Sequence, residues 1–251
     1  MTIASGSIAA VLAAGGSGQR FSPSGTLAAK QFRTLLARPL YLWSLRELCL
    51  NPDISRVVVS VPQSQVSEIK EDLALRYIKD ILLTHLDMSK IAIIAGGESR
   101  QDTVRMALEF LASEASQPEF VLVHDAARPF VTRQMIEDTI VCVRKTGACS
   151  IGVPVSDTIK QVRDGQVVAT VDRSELIAVQ TPQAGRFEWL LEAHRKAYEE
   201  DFVTTDDAAI LESSGKNVYI VESSPYNLKI THPKDLEMAE ALAHLFLPKV
   251  I

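Results

Sequence analysis

Cysteine is scarce: Cys49, Cys142 and Cys149 are the whole complement of the 251-residue chain. An odd number without metal-ligand spacing argues against a disulfide framework or a thiolate metal site, and for reduced thiols. The five histidines are scattered, with no HxxxH or HxH pair to suggest zinc. Positive charge is not in excess either. Lys and Arg number 26 against 31 Asp and Glu, a net charge of −5, which argues against broad nucleic-acid binding. No apolar run approaches the ~20 residues that cross a bilayer. The N-terminal MTIASGS has no basic region, and glycines soon interrupt the apolar stretch after it, so no signal peptide is read. The expected location is the cytoplasm, or an organelle stroma where a transit peptide has been removed, with neither nucleic acid nor membrane as partner. Repeats, low-complexity tracts and linkers are also lacking, so residues 1–251 are expected to form one domain with a β-arm at about 155–180.

The chain does hold a glycine-rich stretch, Leu12 to Lys30, reading LAAGGSGQRFSPSGTLAAK. It follows an apolar run, Ile8 to Ala14, that predicts a buried strand. Gly15, Gly16 and Gly18 stand where that strand should end, and Arg20 and Lys30 add two positive charges. Glycine lets a backbone approach an anion and turn its amides toward it, so a polyphosphate cradle is one reading; a solvated turn with two surface cations is the other. A dinucleotide fingerprint fails because Phe21 stands where its third glycine belongs, and a P-loop fails because Gln31 follows Lys30.

Strand and helix then alternate. A helix is entered at Pro39 and ends before Asn51-Pro52, a strand runs from Arg56 to Val61, and Ser64 is read as the N-cap of the helix carrying Val66, Ile69 and Leu73. Another strand, Lys90 to Ala95, closes on Gly96-Gly97, where a helix opens. Phe120 to His124 forms the next strand, which stops at HDAARPF, and a helix from Thr132 ends at Gly147. This pattern predicts an α/β fold with a mostly parallel sheet, whose strands present their carboxyl ends along one ligand-binding edge. After Ser150, Thr158 to Arg163 and Gln166 to Val171 flank Asp164-Gly165, the signature of a two-residue type I′ hairpin. Such an arm is too thin to bury its own faces and needs a partner, from this chain or another copy. The α/β pattern resumes through Asn217 to Glu222 and a last helix from Pro233, with Leu236, Ala239, Leu242, Ala243 and Phe246 on one face.

Asp125, at a strand end, suits a Mg²⁺ ligand, a partner for a substrate hydroxyl, or a carboxylate paired with Arg128. His124 reads as structural, and Lys229, taken alone, as a surface charge.

The segments LAAGGSGQRF with KQF, AGGESRQDTV, VHDAARPF, PVSDTIK, TVDR, QTPQ, TDDA and NLKITHPKDL, in that order, resemble the 2-C-methyl-D-erythritol 4-phosphate cytidylyltransferase family. The resemblance implies a Rossmann-like nucleotide-diphospho-sugar transferase fold, a homodimer that exchanges its β-arms, and Mg²⁺ or another divalent cation. It implies transfer of CMP from CTP to 2-C-methyl-D-erythritol 4-phosphate in isoprenoid precursor biosynthesis. On the matching positions, Arg20 and Lys30 would stabilise the triphosphate. Ala13, Ala14, Gly15, Gly97, Glu98 and Thr103 would bind cytidine, largely through backbone groups. Asp125, Thr205 and Lys229 would meet the acceptor or transition state, and Thr158 and Arg173 would reach in from the partner's arm. The segment between Arg20 and Lys30 is longer than the family's, Ala29 replaces its proline, and Glu98 stands where aspartate is common. Rival readings are a ribitol-5-phosphate cytidylyltransferase, a non-catalytic nucleotide-binding protein on the same fold, and a nicotinamide oxidoreductase, the last weakened by the missing third glycine.

Overall fold

The computed structural model describes residues 6–15, 33–80 and 82–247. Strand β1 (Ile8–Ala13) is followed by a small antiparallel pair, β2 (Thr34–Leu35) and β3 (Arg38–Pro39), and then by α1 (Leu40–Leu50). Next come β4 (Ile54–Val61), α2 (Val66–Lys79), β5 (Ile91–Ala95), α3 (Arg100–Ser113), β6 (Phe120–Asp125) and α4 (Arg133–Thr146). The four long strands pair in parallel, β6 and β4 on either side of β1 and β5 outside β4. Ile8, Ala10 and Leu12 pack into one cluster with residues of α1, α2 and α4, while Ala9 and Val11 join residues of α3 on the opposite face. Burial on both faces is why β1 reads as an apolar run rather than an alternation.

The helix ends follow from local chemistry. Ser99 caps α3 by accepting from the Asp102 N–H at 3.0 Å, and Thr132 caps α4 by accepting from Met135 at 3.3 Å. Gly147 ends α4 with φ +86°, the left-handed value that favours glycine. Ser64 is not the cap of α2. Pro62 opens a 3-10 turn over Gln63–Gln65, closed by the Gln65 N–H on the Pro62 carbonyl, and Gln65 takes the cap position without a side-chain bond.

Two strands of the same sheet escape the sequence pattern: β7 (Ala148–Pro154) and, after the arm, the long strand Ile177–Arg186. The arm itself is β8 (Ile159–Arg163) and β9 (Gln166–Val171), turned at Asp164 (φ 49°) and Gly165 (φ 78°) as type I′ requires. Its Val162, Val167 and Val168 are 56%, 61% and 52% exposed, so no part of the described chain covers it. The long strand, β10, runs antiparallel between β6 and β7; α5 (Phe187–Glu199), α6 (Asp207–Ser213), β11 (Tyr219–Glu222) and α7 (Pro233–Phe246) complete the order. The sheet reads β11-β7-β10-β6-β1-β4-β5, with β10 alone running against the rest. Helix α7 buries Ala239 and Ala243 against Leu35, Leu40 and Trp43. Among the described residues no helix is long and apolar enough to cross a membrane.

Candidate active site

The carboxyl ends of β1, β5 and β6 lie on one edge of the sheet. Ala13 is in register with Asp125 on β6 and with Ser60 on β4, and the Gly96 N–H bonds the Val61 carbonyl at 2.7 Å. Gly15 and Gly96 touch the same side chain: a Cβ on Gly15 would stand 2.5 Å from Thr103 Oγ1, and one on Gly96 2.9 Å from it. Those contacts leave no room for a larger residue, so glycine here is a matter of close approach. Thr103 is wholly buried and its hydroxyl donates to the Ser99 carbonyl at 2.8 Å, so the side chain shapes the loop wall, while Glu98 beside Gly97 is exposed. Arg20 and Lys30, with Phe21 to Ala29 between them, lie outside the described residues.

Asp125 is the hub. Its Oδ1 accepts from Arg100 Nε at 2.7 Å and its Oδ2 from Lys229 Nζ at 2.6 Å, with Arg128 Nε 4.0 Å away. Burial pushes its carboxyl pKa up, but the charges of Arg100 and Lys229 outweigh that and hold it well below the usual range. Its backbone N–H donates to Thr181 Oγ1 on β10 at 3.1 Å, and that hydroxyl also faces His124 Nδ1 at 3.1 Å. His124 Nε2 donates to the Arg128 carbonyl, and burial lowers its pKa to about 4, so the ring is neutral at physiological pH. His124 is structural, as read.

Lys229 arrives from a loop stitched down at two points. Asn227 Nδ2 donates to the Thr181 carbonyl at 2.9 Å, and the Ile230 N–H donates to the Ala127 carbonyl at 2.9 Å. The lysine is therefore an ion-paired cation rather than a free surface charge. Arg128, read as the partner of Asp125, is the most distant of its three cations; its Nη1 donates instead to the Asn227 carbonyl at 2.7 Å. Each oxygen of Asp125 holds one cation, Arg100 on Oδ1 and Lys229 on Oδ2. Among the described residues no group of three or more His, Cys, Asp or Glu side chains is placed to hold a metal.

Thr205, Thr158 and Arg173 make no hydrogen bond to Asp125. Thr205 is exposed ahead of α6, and Thr158 and Arg173 are exposed on the arm, where Arg173 Nη1 donates to the Ser156 carbonyl. Conversely, Arg100 and Asp207 belong to the site and were assigned no role from sequence. Arg100 Nη2 donates to Asp207 Oδ2 at 2.7 Å, and Asp207 Oδ1 accepts from His194 Nε2 at 3.1 Å. The available signal was position: an arginine directly after a helix cap, and the second acid of TDDA, both at loop-to-helix junctions.

A cation-lined edge beside a glycine cradle is common to many nucleotide-binding sheets, and comparison with known proteins decides among them. The family model IspD, 2-C-methyl-D-erythritol 4-phosphate cytidylyltransferase, matches residues 8–244. The chain belongs to this cytidylyltransferase family. The 2-C-methyl-D-erythritol 4-phosphate cytidylyltransferase of Bacillus mycoides (strain KBAB4) is 38% identical over 235 residues, 94% of this chain and 97% of that protein. The cytidylyltransferase of Bacillus cereus (strain ATCC 10987 / NRS 248) is 46% identical over 169 residues, 67% of this chain and 73% of that protein. Among solved structures, the cytidylyltransferase from Thermus thermophilus superposes with a TM-score of 0.73 at 28% identity, covering 95% of this chain and 99% of that one. The 4-diphosphocytidyl-2C-methyl-D-erythritol synthase from Anaerococcus prevotii DSM 20548 shares the fold, with a TM-score of 0.78 at 24% identity over 96% of this chain and 98% of that one.

Proposed function

We propose that this chain transfers CMP from CTP to 2-C-methyl-D-erythritol 4-phosphate, giving 4-diphosphocytidyl-2-C-methyl-D-erythritol and pyrophosphate. The observation that carries the reading is the Asp125–Lys229 pair, 2.6 Å apart at the sheet edge that ends β1 and β6, in a member of this family. An acceptor phosphate oxygen attacks the α-phosphorus of CTP; the new P–O bond forms as the bond to the β-phosphate breaks, and pyrophosphate leaves with its electron pair. A phosphate monoester has its second pKa near 6 and is ionised at pH 7, so no general base is needed. The work left to the protein is to bring two anions together and to offset charge in the transition state.

Lys229, held by Asp125, faces the acceptor phosphate in this proposal. Arg20 and Lys30 offset the triphosphate, and Ala13 to Gly15 with Gly97 and Glu98 form the cytidine cradle. Thr205 borders the acceptor. Magnesium, or another divalent cation, comes with the phosphates of CTP, and Asp125 is the carboxylate nearest to meet it. The exposed arm fits a homodimer in which Thr158 and Arg173 of one chain hold the acceptor in the other's site, and the reaction is placed in the cytoplasm. Release of pyrophosphate from CTP, measured with a panel of sugar-alcohol phosphates, tests the reading. Turnover with 2-C-methyl-D-erythritol 4-phosphate well above that with ribitol 5-phosphate is expected. Turnover with ribitol 5-phosphate alone, or with no acceptor of the panel, would refute it.

A further inference from the structure

The five side chains His194, Asp207, Arg100, Asp125 and Lys229 form one unbroken line of donors and acceptors, at 3.1, 2.7, 2.7 and 2.6 Å. They come from α5, α6, α3, β6 and the loop before α7, so the line joins the helices packed on one face of the sheet to its ligand-binding edge. Its inner end is fixed. Asp207 is 1% exposed and His194 fully buried, and the carboxylate can only accept, so His194 Nε2 carries the proton between them. The Asp207 N–H donates to Gln183 Oε1 at 2.8 Å and the Ala208 N–H to the same oxygen at 3.0 Å. Gln183 Nε2 in turn donates to Asp206 Oδ2 at 2.8 Å. The outer end, Lys229, is the partly exposed one, with 31% of its side chain accessible.

Arg100 spans two carboxylates, one with Nε and one with Nη2. A guanidinium offers two parallel N–H bonds to a single carboxylate when it can, and it outcompetes a strongly hydrated ammonium for one. With Asp207 neutral, Arg100 would be free to take both oxygens of Asp125, and Lys229 would lose its anchor. We propose that Asp207 is a positioning residue: by holding one side of Arg100 it leaves Asp125 Oδ2 to Lys229, and so fixes the cation that meets the anionic acceptor. This deepens the transferase reading and rests on it.

Asp207→Asn keeps the shape and removes the charge. The expected result is a fall in kcat/KM for the acceptor of roughly 10- to 100-fold, the scale of displacing one reacting partner, with KM for CTP within about twofold because the cradle is untouched. In a Lys229→Gln background the same change should have no further effect on kcat/KM, whereas a merely structural role predicts that the two losses multiply. Unchanged kcat/KM in Asp207→Asn, or a full additional loss in the double variant, overturns the proposal. If Asp207→Asn does not fold, Asp207→Ser, which also removes the charge that holds Arg100, replaces it in the same cycle with the same expectations. A readout independent of turnover separates this inference from the transferase reading. The ¹⁵N signal of the Lys229 ammonium, assigned by its loss in Lys229→Gln, should broaden beyond detection in Asp207→Asn. A wild type inert toward the acceptor whose Lys229 signal is lost in Asp207→Asn refutes the reading and keeps the positioning; a signal unchanged by Asp207→Asn refutes the positioning.

Discussion

Thr181→Val removes one hydroxyl and leaves the volume and the β-branched shape of the side chain in place. That hydroxyl serves two buried groups at once, accepting from the Asp125 N–H and meeting His124 Nδ1, each at 3.1 Å. The Arg128 carbonyl that His124 Nε2 contacts can only accept, so the proton is on Nε2, Nδ1 is bare, and Thr181 must be the donor to it. Valine strands both. Thr181 is 3% exposed and His124 is fully buried, so water has little access to repair either bond. An unsatisfied buried group costs ~1 to 3 kcal/mol, so two of them, partly relieved by local relaxation, should destabilise the protein by about 2 to 4 kcal/mol. At ~2 to 4 °C per kcal/mol for a chain of this size, the melting temperature should fall by roughly 5 to 15 °C. Valine suits a strand at least as well as threonine, so propensity cannot produce the loss. Scanning calorimetry on Thr181→Val beside Thr181→Ser, which keeps the hydroxyl, is the assay. A valine variant that melts with the wild type, or a serine variant that falls as far as valine, would refute the reasoning.

Acid should act in two steps. The His124 pKa, lowered by burial from 6.5 to about 4, makes the unfolded chain bind a proton that the folded one refuses; stability should fall by about 3 kcal/mol as pH drops from about 6.5 to 4. Burial raises the Asp207 pKa, but the Arg100 charge and the His194 hydrogen bond prevail and hold it from 3.8 down to about 2. Its contribution of about 2 kcal/mol is present above the unfolded pKa and lost between about 4 and 2. Urea melts at pH 7, 5 and 4 check the upper step, which His124→Gln should abolish; equal wild-type stability at pH 7 and 4 contradicts it. The proposed two-chain site predicts complementation. Lys30→Ala and Arg173→Ala should each be nearly inactive, yet co-expressed they should regain roughly a quarter of wild-type activity, because about half the dimers are mixed and each holds one intact site. Verified heterodimers no more active than their parents would exclude an exchanged arm.

What was legible in the sequence was local. Asp164-Gly165 specified its own turn, Thr132 and Gly147 sit at the helix ends their chemistry favours, and β1 announced itself by having no polar residue to expose, whereas the helix expected to open at Gly96-Gly97 starts at Arg100 under the Ser99 cap. β7 and β10 were not legible, because Gly152, Pro154, Pro182 and Gly185 break any strand period and the pairing that stabilises them is with distant segments. The β10–β7 register itself shifts between Val179 and Gln183, around a proline that cannot donate to a ladder. The same holds at the site. Arg100 meets carboxylates 25 and 107 positions away, a pairing that no spacing rule encodes. Lys229 looked like surface charge until the bonds of Asn227 and Ile230 brought its loop down onto Asp125. The family resemblance pointed to Lys229 and Asp125 together without saying what holds them.

One strand reaches from the exposed arm to the reacting edge. Ile177 and Val179, at the arm end of β10, are 37% and 40% exposed, while Thr181 and Gln183 a few residues on are each 3% exposed. A strand is stiff along its length, with ~3.3 Å between residues, so whatever grips the arm has a tether of two to six residues to the Asp125 N–H and to the N-terminus of α6. If the arm is the dimer contact proposed above, assembly and the reacting edge share this one strand.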